Sequence, residues 1–375
     1  MSRSWFVLRS LIHYRGVNLT VVAGGGVAVA VLAGALLVGG SVRGSLRDLA
    51  LGRLGLTDTV VTTPVFFRDA LADDLLATPA VAGEFDGAAP LITLNGFVTE
   101  PASGRRATGV QVYGVDERFW AFHRRASQAP PGRNELLLGE ALAREMAVEP
   151  GAALLVRVER PTDVPLGSLH GRRDDVGRTV RLTVASILAP SALGEFSLRQ
   201  SQGAVRAVFV ELSRLQEALE IDGKVNTVLL STAAAPVDGD DGGSRVAAVE
   251  RALRDTATLD DLALTIRTLP EREALVVESG SGMVGDVVAE AVREAAEPLG
   301  LEPRPVLTYL INRLSLGPRE VPYSLVTGVD FPAFSALSSR AQRRSGLWPE
   351  ALEYPPILLN EWAAQDLGAR QGDII

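Results

Sequence analysis

The chain has 375 residues, with no cysteine, one lysine (Lys224) and three histidines. Without cysteine there is no disulfide, no zinc–thiolate site and no cysteine nucleophile. That absence fits the far side of a bacterial inner membrane, although many cytosolic proteins share it. A single lysine excludes a Gly-x-x-x-x-Gly-Lys-Ser/Thr loop, whose lysine reaches the terminal phosphates. Lys224 stands in Gly223-Lys224-Val225, with Ala218 where the first glycine belongs. Ser-x-x-Lys is excluded by the same count, and Ser279-Gly280-Ser281-Gly282 only approaches the Gly-x-Ser-x-Gly elbow. His13 precedes the long apolar run, His123 and His170 sit in Arg-rich, loop-like stretches, and no His-Glu-x-x-His occurs. The pairs Asp73/Asp74 and Asp260/Asp261 read as solvated helix or loop positions. Asp238, Asp240 and Asp241 lack the alternating spacing and closing glutamate of a calcium loop. No catalytic, cofactor-binding or metal-ligating residue is assigned, and no enzyme activity is expected. A net charge of −8 and a pI of about 5.2 argue against a nucleic-acid partner.

What the chain does have is one long apolar run. Val17–Val42 holds no charged residue and is bracketed by Arg15 and Arg43. As a helix it would measure about 39 Å, more than the roughly 30 Å hydrocarbon core of a bilayer. Gly24, Gly25, Gly26, Gly34, Gly39 and Gly40 are small residues that let a second helix approach closely in lipid. A cleaved signal peptide competes with the anchor, because Ala33-Gly34-Ala35 has the form of a cleavage site. The apolar run nevertheless continues through Leu36, Leu37 and Val38. Arginines 3, 9 and 15 before the run balance 43, 47 and 53 after it, so the positive-inside bias decides little.

Ahead of the span, Ser4–Tyr14 reads as a short amphipathic helix with Arg9, Ser10 and His13 on its polar stripe, suited to a membrane interface. Beyond it, Val42–Leu56 continues helically. Strands are expected near 58–62, 91–98 and 108–115, with an amphipathic helix over Phe66–Ala77 that starts after Pro64. Further on, strands are expected at 180–188, 205–210, 225–231 and 263–267, and helices at 213–220 and 245–255. Residues 234–244 form a Gly- and Asp-rich loop.

An internal repeat stands out. Leu136–Leu154 (LLLGEALAREMAVEPGAAL) matches Ile357–Ile375 (ILLNEWAAQDLGARQGDII) at an offset of 221, with Gly-Val-Asp at 114–116 and 328–330 upstream. Each copy predicts two strands joined by a Gly-containing turn, then a strand, a helix opening at Glu140 or Glu361, and a Gly-bearing turn. A strand and helix at 274–278 and 284–298 precede the second copy. The division expected is a cytoplasmic leader (1–16), a transmembrane helix (17–42) and an extracytoplasmic core (43–375). The core comprises a first α+β repeat (57–158), an inserted subdomain (159–270) and a second repeat (271–375).

In this order, RSLIHYRGVNLT, VGGSVRGSLRDLALGRLGLTD, VQVYGVDERFW, LTYLINRL…VPYSLVTGVD and LLNEWAAQDLGARQGDII resemble the FtsX-like permeases of ABC transporters with a MacB-type periplasmic core domain. The resemblance covers nearly the whole chain. It implies an α+β fold with one N-terminal transmembrane helix and a mixed α+β core of two βαβ-type units around an insert. It also implies a separate ABC ATPase subunit, contact with membrane lipid, a homodimer or a heterodimer with a second permease copy, and a place in the bacterial inner membrane. Family members act in export, in lipoprotein or lipid extrusion, or in signalling to cell-wall enzymes. The family carries three further helices, and Ile375 falls where the first copy continues as Leu155–Arg160. The expectation is a truncated product or a fragment. The alternatives are a membrane-anchored binding or sensor module without transport, and a signal-anchored hydrolase.

Overall fold

In the computed structural model, residues 3–159, 177–201, 203–232, 243–280, 282–329 and 357–375 are described. His170, Asp238, Asp240, Asp241, Ser281 and Asp330 lie outside them. The chain opens with α1 (Arg3–His13) and α2 (Arg15–Leu54). Helix α2 is long and apolar enough to cross a membrane, and no part of its apolar stretch is buried within the protein. A mixed α+β domain follows, rich in sheet.

Its strands are β1 (Thr59–Arg68), β2 (Gly87–Thr99), β3 (Arg106–Val115), β4 (Glu135–Gly139), β5 (Ala153–Glu159), β6 (Gly177–Leu188), β7 (Ala207–Glu211) and β8 (Lys224–Ser231). Helices α3 (Leu71–Ala77), α4 (Pro79–Ala82), α5 (Glu117–Phe122), α6 (Glu140–Met146), α7 (Leu212–Leu219) and α8 (Gly243–Thr256) connect or follow them. The order across the sheet is β1-β8-β2-β3-β7-β4-β6-β5, and β2 pairs with β5 as well. Strands β2, β3, β7, β4, β6 and β5 therefore close into a ring, with β8 and β1 extending from β2.

Closure depends on β2 changing partners. Its first half lies along β8, from Gly87↔Ser231 to Leu91↔Thr227. Its second half takes β5, from Gly96↔Val158 to Thr99↔Leu155. Where the strands part, the Asn226 side chain stands in for the lost ladder: it accepts from Thr93 N at 2.8 Å and donates to Thr93 O at 3.0 Å. At Gly96 the ladder to β3 shifts register, and a Cβ there would stand 2.3 Å from the Arg157 carbonyl oxygen. Only glycine admits that approach.

One apolar core takes residues from all six ring strands, among them Val98, Val112, Leu138, Val156, Leu182 and Val208, and so fills the ring. A second cluster lies outside it, where Leu91, Tyr113, Leu137 and Phe209 meet Phe119, Trp120 and Phe196. Helices α3, α4 and α8 pack together beside β2.

Two expectations need correction. Phe66 and Phe67 belong to β1: Phe67 pairs with Val225 and is buried, so the helix begins only at Leu71. Pro64 sits within the register shift between Thr62 and Phe67, where its missing N–H costs no ladder bond. The boundary expected at 159 is not a break in the sheet, because β6 and β7 lie inside the ring and β8 lies between β1 and β2. Long-range pairing of this kind leaves no mark on local periodicity.

The remaining elements form smaller units. Strand β9 (Leu264–Leu269) pairs with β10 (Ala274–Ser279), and α9 (Asp286–Ala296) follows. Strands β11 (Val306–Leu316) and β12 (Arg319–Val329) form a hairpin against which α10 (Glu361–Leu367) packs.

Candidate functional site

Among the described residues no group of three His, Cys, Asp or Glu side chains is placed to hold a metal ion. The place where the fold concentrates buried polar groups is the joint between α2 and the domain. From Val42 to Arg53 the helix runs on for about 16 Å, as a stalk ending in the segment between β6 and β7.

Arg53 is 7% exposed. Its Nη2 lies 2.9 Å from Glu195 Oε2, and its Nη1 and Nη2 donate to the carbonyls of Ser201 and Gly203 at 2.5 and 2.8 Å. The Arg53 carbonyl accepts from Ser197 N at 3.2 Å. A planar guanidinium can satisfy a carboxylate and two carbonyls at once. Truncating either partner of such a buried pair costs about 3–5 kcal/mol, because the other charge is left unpaired.

Gly55 ends α2 at φ 61° and lies flat on His123, so a Cβ would meet His123 Nδ1 at 2.6 Å. The next residue completes the lock: Leu56 N donates to His123 Nδ1 at 3.2 Å. This bond requires the imidazole to be neutral at Nδ1. Burial, and then the nearby Arg125 guanidinium, push the His123 pKa down to about 4. Its ring packs edge-on against Phe119, Phe122 and Phe196. His123 caps the C-terminus of α5, whose start is fixed by Asp116 accepting from Arg118 N at 2.9 Å. Tyr113 OH donates to the Phe196 carbonyl at 3.1 Å and ties the same segment to the ring.

Two sequence readings change here. His123 is a buried member of the joint, not part of an exposed loop; its partner is 67 residues away, beyond the reach of local context. Asp261 is buried as well: it accepts from Arg68 N and Nε, each at 3.0 Å, from Arg68 Nη2 at 2.8 Å, and from Thr258 N at 2.9 Å. Burial pulls its pKa up, but the bonds from Arg68 and Thr258 outweigh that and hold it below the ordinary carboxylate value. Asp260 pairs with Lys224 Nζ at 2.7 Å, and Asp74 with Arg68 at 3.2 Å. The one lysine is thus held at the start of β8. Ser279 ends β10.

No family model and no curated protein matches the chain. Among solved structures it is similar to the periplasmic region of MacB from Actinobacillus actinomycetemcomitans, with 10% identity and a TM-score of 0.31 over 68% of this chain and 98% of that one. It is also similar to the extracellular domain of the noncanonic ABC-type transporter YknZ from Gram-positive bacteria, with 11% identity and a TM-score of 0.29 over 59% and 100%. Neither likeness assigns an activity to this chain.

Proposed function

We propose that the chain is the transmembrane permease subunit of an FtsX-like, MacB-type ABC transporter. In this reading a separate ATPase subunit hydrolyses ATP on one side of the membrane, and the domain moves on the other, for export or for lipoprotein or lipid extrusion. The observation that carries the reading is α2: one unbroken helix, Arg15–Leu54, runs through the apolar span and ends in buried bonds to the domain. A helix locked in this way transmits a tilt or shift as a rigid body, whereas a tethered anchor would absorb it in a loop. The family resemblance supplies the direction and the partner. The motor is placed outside these residues, because Lys224 is committed to Asp260 and stands in no phosphate loop. The open glycines at 24–26, 34, 39 and 40, with nothing but Arg43 near any of them, suit packing against another membrane helix in a homodimer or heterodimer.

The test uses the cysteine-free background. Single cysteines at Ser45 and Thr183 are labelled with a membrane-impermeant maleimide in intact cells, and the tagged chain is purified and assayed for a co-purifying ATPase. Labelling from outside, with an ATPase whose turnover changes on association, supports the reading. Protection of Thr183→Cys in intact cells with labelling after lysis would place the domain in the cytoplasm and sink it. External labelling without an associated ATPase would favour the anchored sensor module.

A further inference from the structure

We propose that the outer wall of the ring, where β3, β2, β5 and β6 run side by side, docks a carboxylate-rich segment of a partner protein. The ladder pairs Arg106 with Thr99, Thr99 with Leu155, and Leu155 with Arg181, giving one row across four strands. The next row on the same face is Thr108, Phe97, Arg157 and Thr179. Residues between these rows, Ala107, Val98, Val156 and Val180, point into the core, so both rows face outward. Arg199 joins the same wall, donating to Asn95 Oδ1 at 3.0 Å.

Arg106, Arg157, Arg181 and Arg199 are exposed, and among the described side chains none of them makes an ion pair. Arg53, Arg68, Arg118, Arg133, Arg178, Arg206 and Arg214 are paired, while Arg105, Arg124, Arg125 and Arg251, scattered elsewhere, make no described ion pair either; what distinguishes these four is that they share one wall. In a chain with 45 acidic and 37 basic residues, four exposed arginines gathered on one wall make a local patch of positive charge. Their arrangement also suits recognition. The Arg106 guanidinium lies 3.7 Å from the Phe97 ring centroid and that of Arg157 5.7 Å. Stacking orients the forks before a partner arrives and reduces the ordering cost of binding. Arginine beside an aromatic is the composition enriched at interface centres, and guanidinium prefers planar, bidentate oxyanions.

Lipid headgroups share that chemistry, but the stalk disfavours them. The Arg53 joint, one end of which is the segment bearing Arg199, stands about 16 Å along the helix from Val42. The headgroup layer is roughly 5–8 Å deep, and surface potential decays over a Debye length of about 8 Å. The inference does not depend on which side of the membrane the domain occupies, and so it survives or fails apart from the transport reading.

The test is titration of the full chain, in neutral detergent at low ionic strength, with fluorescein-labelled deca-glutamate and deca-glutamine. The wild type should bind the former and not the latter. Arg157→Glu/Arg181→Glu should weaken binding about tenfold or more, and the neutral pair Arg181→Gln/Arg199→Gln about threefold. Arg254→Glu/Arg293→Glu, the same charge change elsewhere, should alter it less than about twofold. The second wall pair involves exposed side chains away from Phe97, so it reports even if the first disturbs the sheet. Equal loss in wall and control variants, or no preference for glutamate over glutamine, would overturn the proposal. So would displacement of the peptide by dihexanoyl phosphatidylglycerol at lower concentration than by unlabelled deca-glutamate, which would reassign the wall to lipid.

Discussion

Helix α6 runs from Glu140 to Met146 and α10 from Glu361 to Leu367, an offset of 221 at both ends. Each ends on a left-handed residue, Ala147 at φ 47° and Gly368 at φ 66°, and each following turn holds a glycine, Gly151 at φ 94° and Gly372 at φ 95°. The closing bonds correspond too: Val148 N donates to Ala143 O, and Ala369 N to Ala364 O. What differs is the surroundings. Strands β4 and β5 flank α6 inside the ring, whereas 357–360 and 373–375 pair with no strand among the described residues. Leu137 is 3% exposed and its counterpart Leu358 is 58% exposed. The hairpins preceding them differ likewise, β2–β3 being largely core while Leu307, Tyr323 and Leu325 on β11–β12 stand open. A helix with its turn is specified by local bonds and a left-handed cap; a strand is realised only when a neighbour supplies the other half of its ladder.

The largest effect that tests this contrast lies at two strand glycines, one in each hairpin. Gly96→Ala should drive a Cβ into the Arg157 carbonyl and destabilise the ring by about 3 kcal/mol or more. Gly328→Ala, with its nearest neighbour, Leu307 O, at 3.6 Å, should stay within about 0.5 kcal/mol of wild type. Hydrogen exchange resolved by peptide reads each region separately. Equal protection loss in the two variants would mean that the ring closure is not what sets the first region apart.

Acid gives the second cut. His123 is neutral in the fold, with its pKa lowered from 6.5 to about 4, so the unfolded chain binds a proton that the native joint refuses. Stability from this group is full above the unfolded value, falls as pH drops from about 6.5 to about 4, and levels off below, a loss of up to about 3 kcal/mol. Exchange should rise first at Leu56 and through α5, before it changes in β11–β12. In His123→Gln that fall should be absent. A variant with the wild-type pH profile would place the titrating group elsewhere.

Much of this fold is legible in the sequence where the information is local. The leader, the long helix, the hairpins and the strands near 180–188 and 225–231 follow from periodicity and turn residues, and the observed elements fall on them. Ring closure is not legible that way, since it rests on β2 meeting β5 some sixty residues later. Gly96 inside an apolar strand is the single local mark it leaves. The joint is hidden for the same reason. His123 is followed by Arg124 and Arg125 and reads as surface, and Asp261 looks solvated until Arg68, 193 residues earlier, is placed against it. Phe66-Phe67 fits a helix by pattern and becomes strand because β8 takes Phe67 as a partner.

The smallest effect is a swap at the two left-handed caps. Ala147 holds φ 47° with a Cβ that its counterpart Gly368 lacks. A non-glycine residue in that region carries roughly 1 kcal/mol of strain, while glycine adds conformational entropy to the unfolded chain. Ala147→Gly should therefore stabilise by about 0.5 kcal/mol net, an unusual sign for a substitution to glycine. Gly368→Ala should destabilise by more than that, because its Cβ would also stand 2.6 Å from Arg319 Nη1, at the flexible end of that side chain. Thermal unfolding of both variants beside the wild type supplies the comparison. If Ala147→Gly destabilises as a helix-interior glycine would, the two turns are not equivalent in solution, and the repeat ends with its sequence.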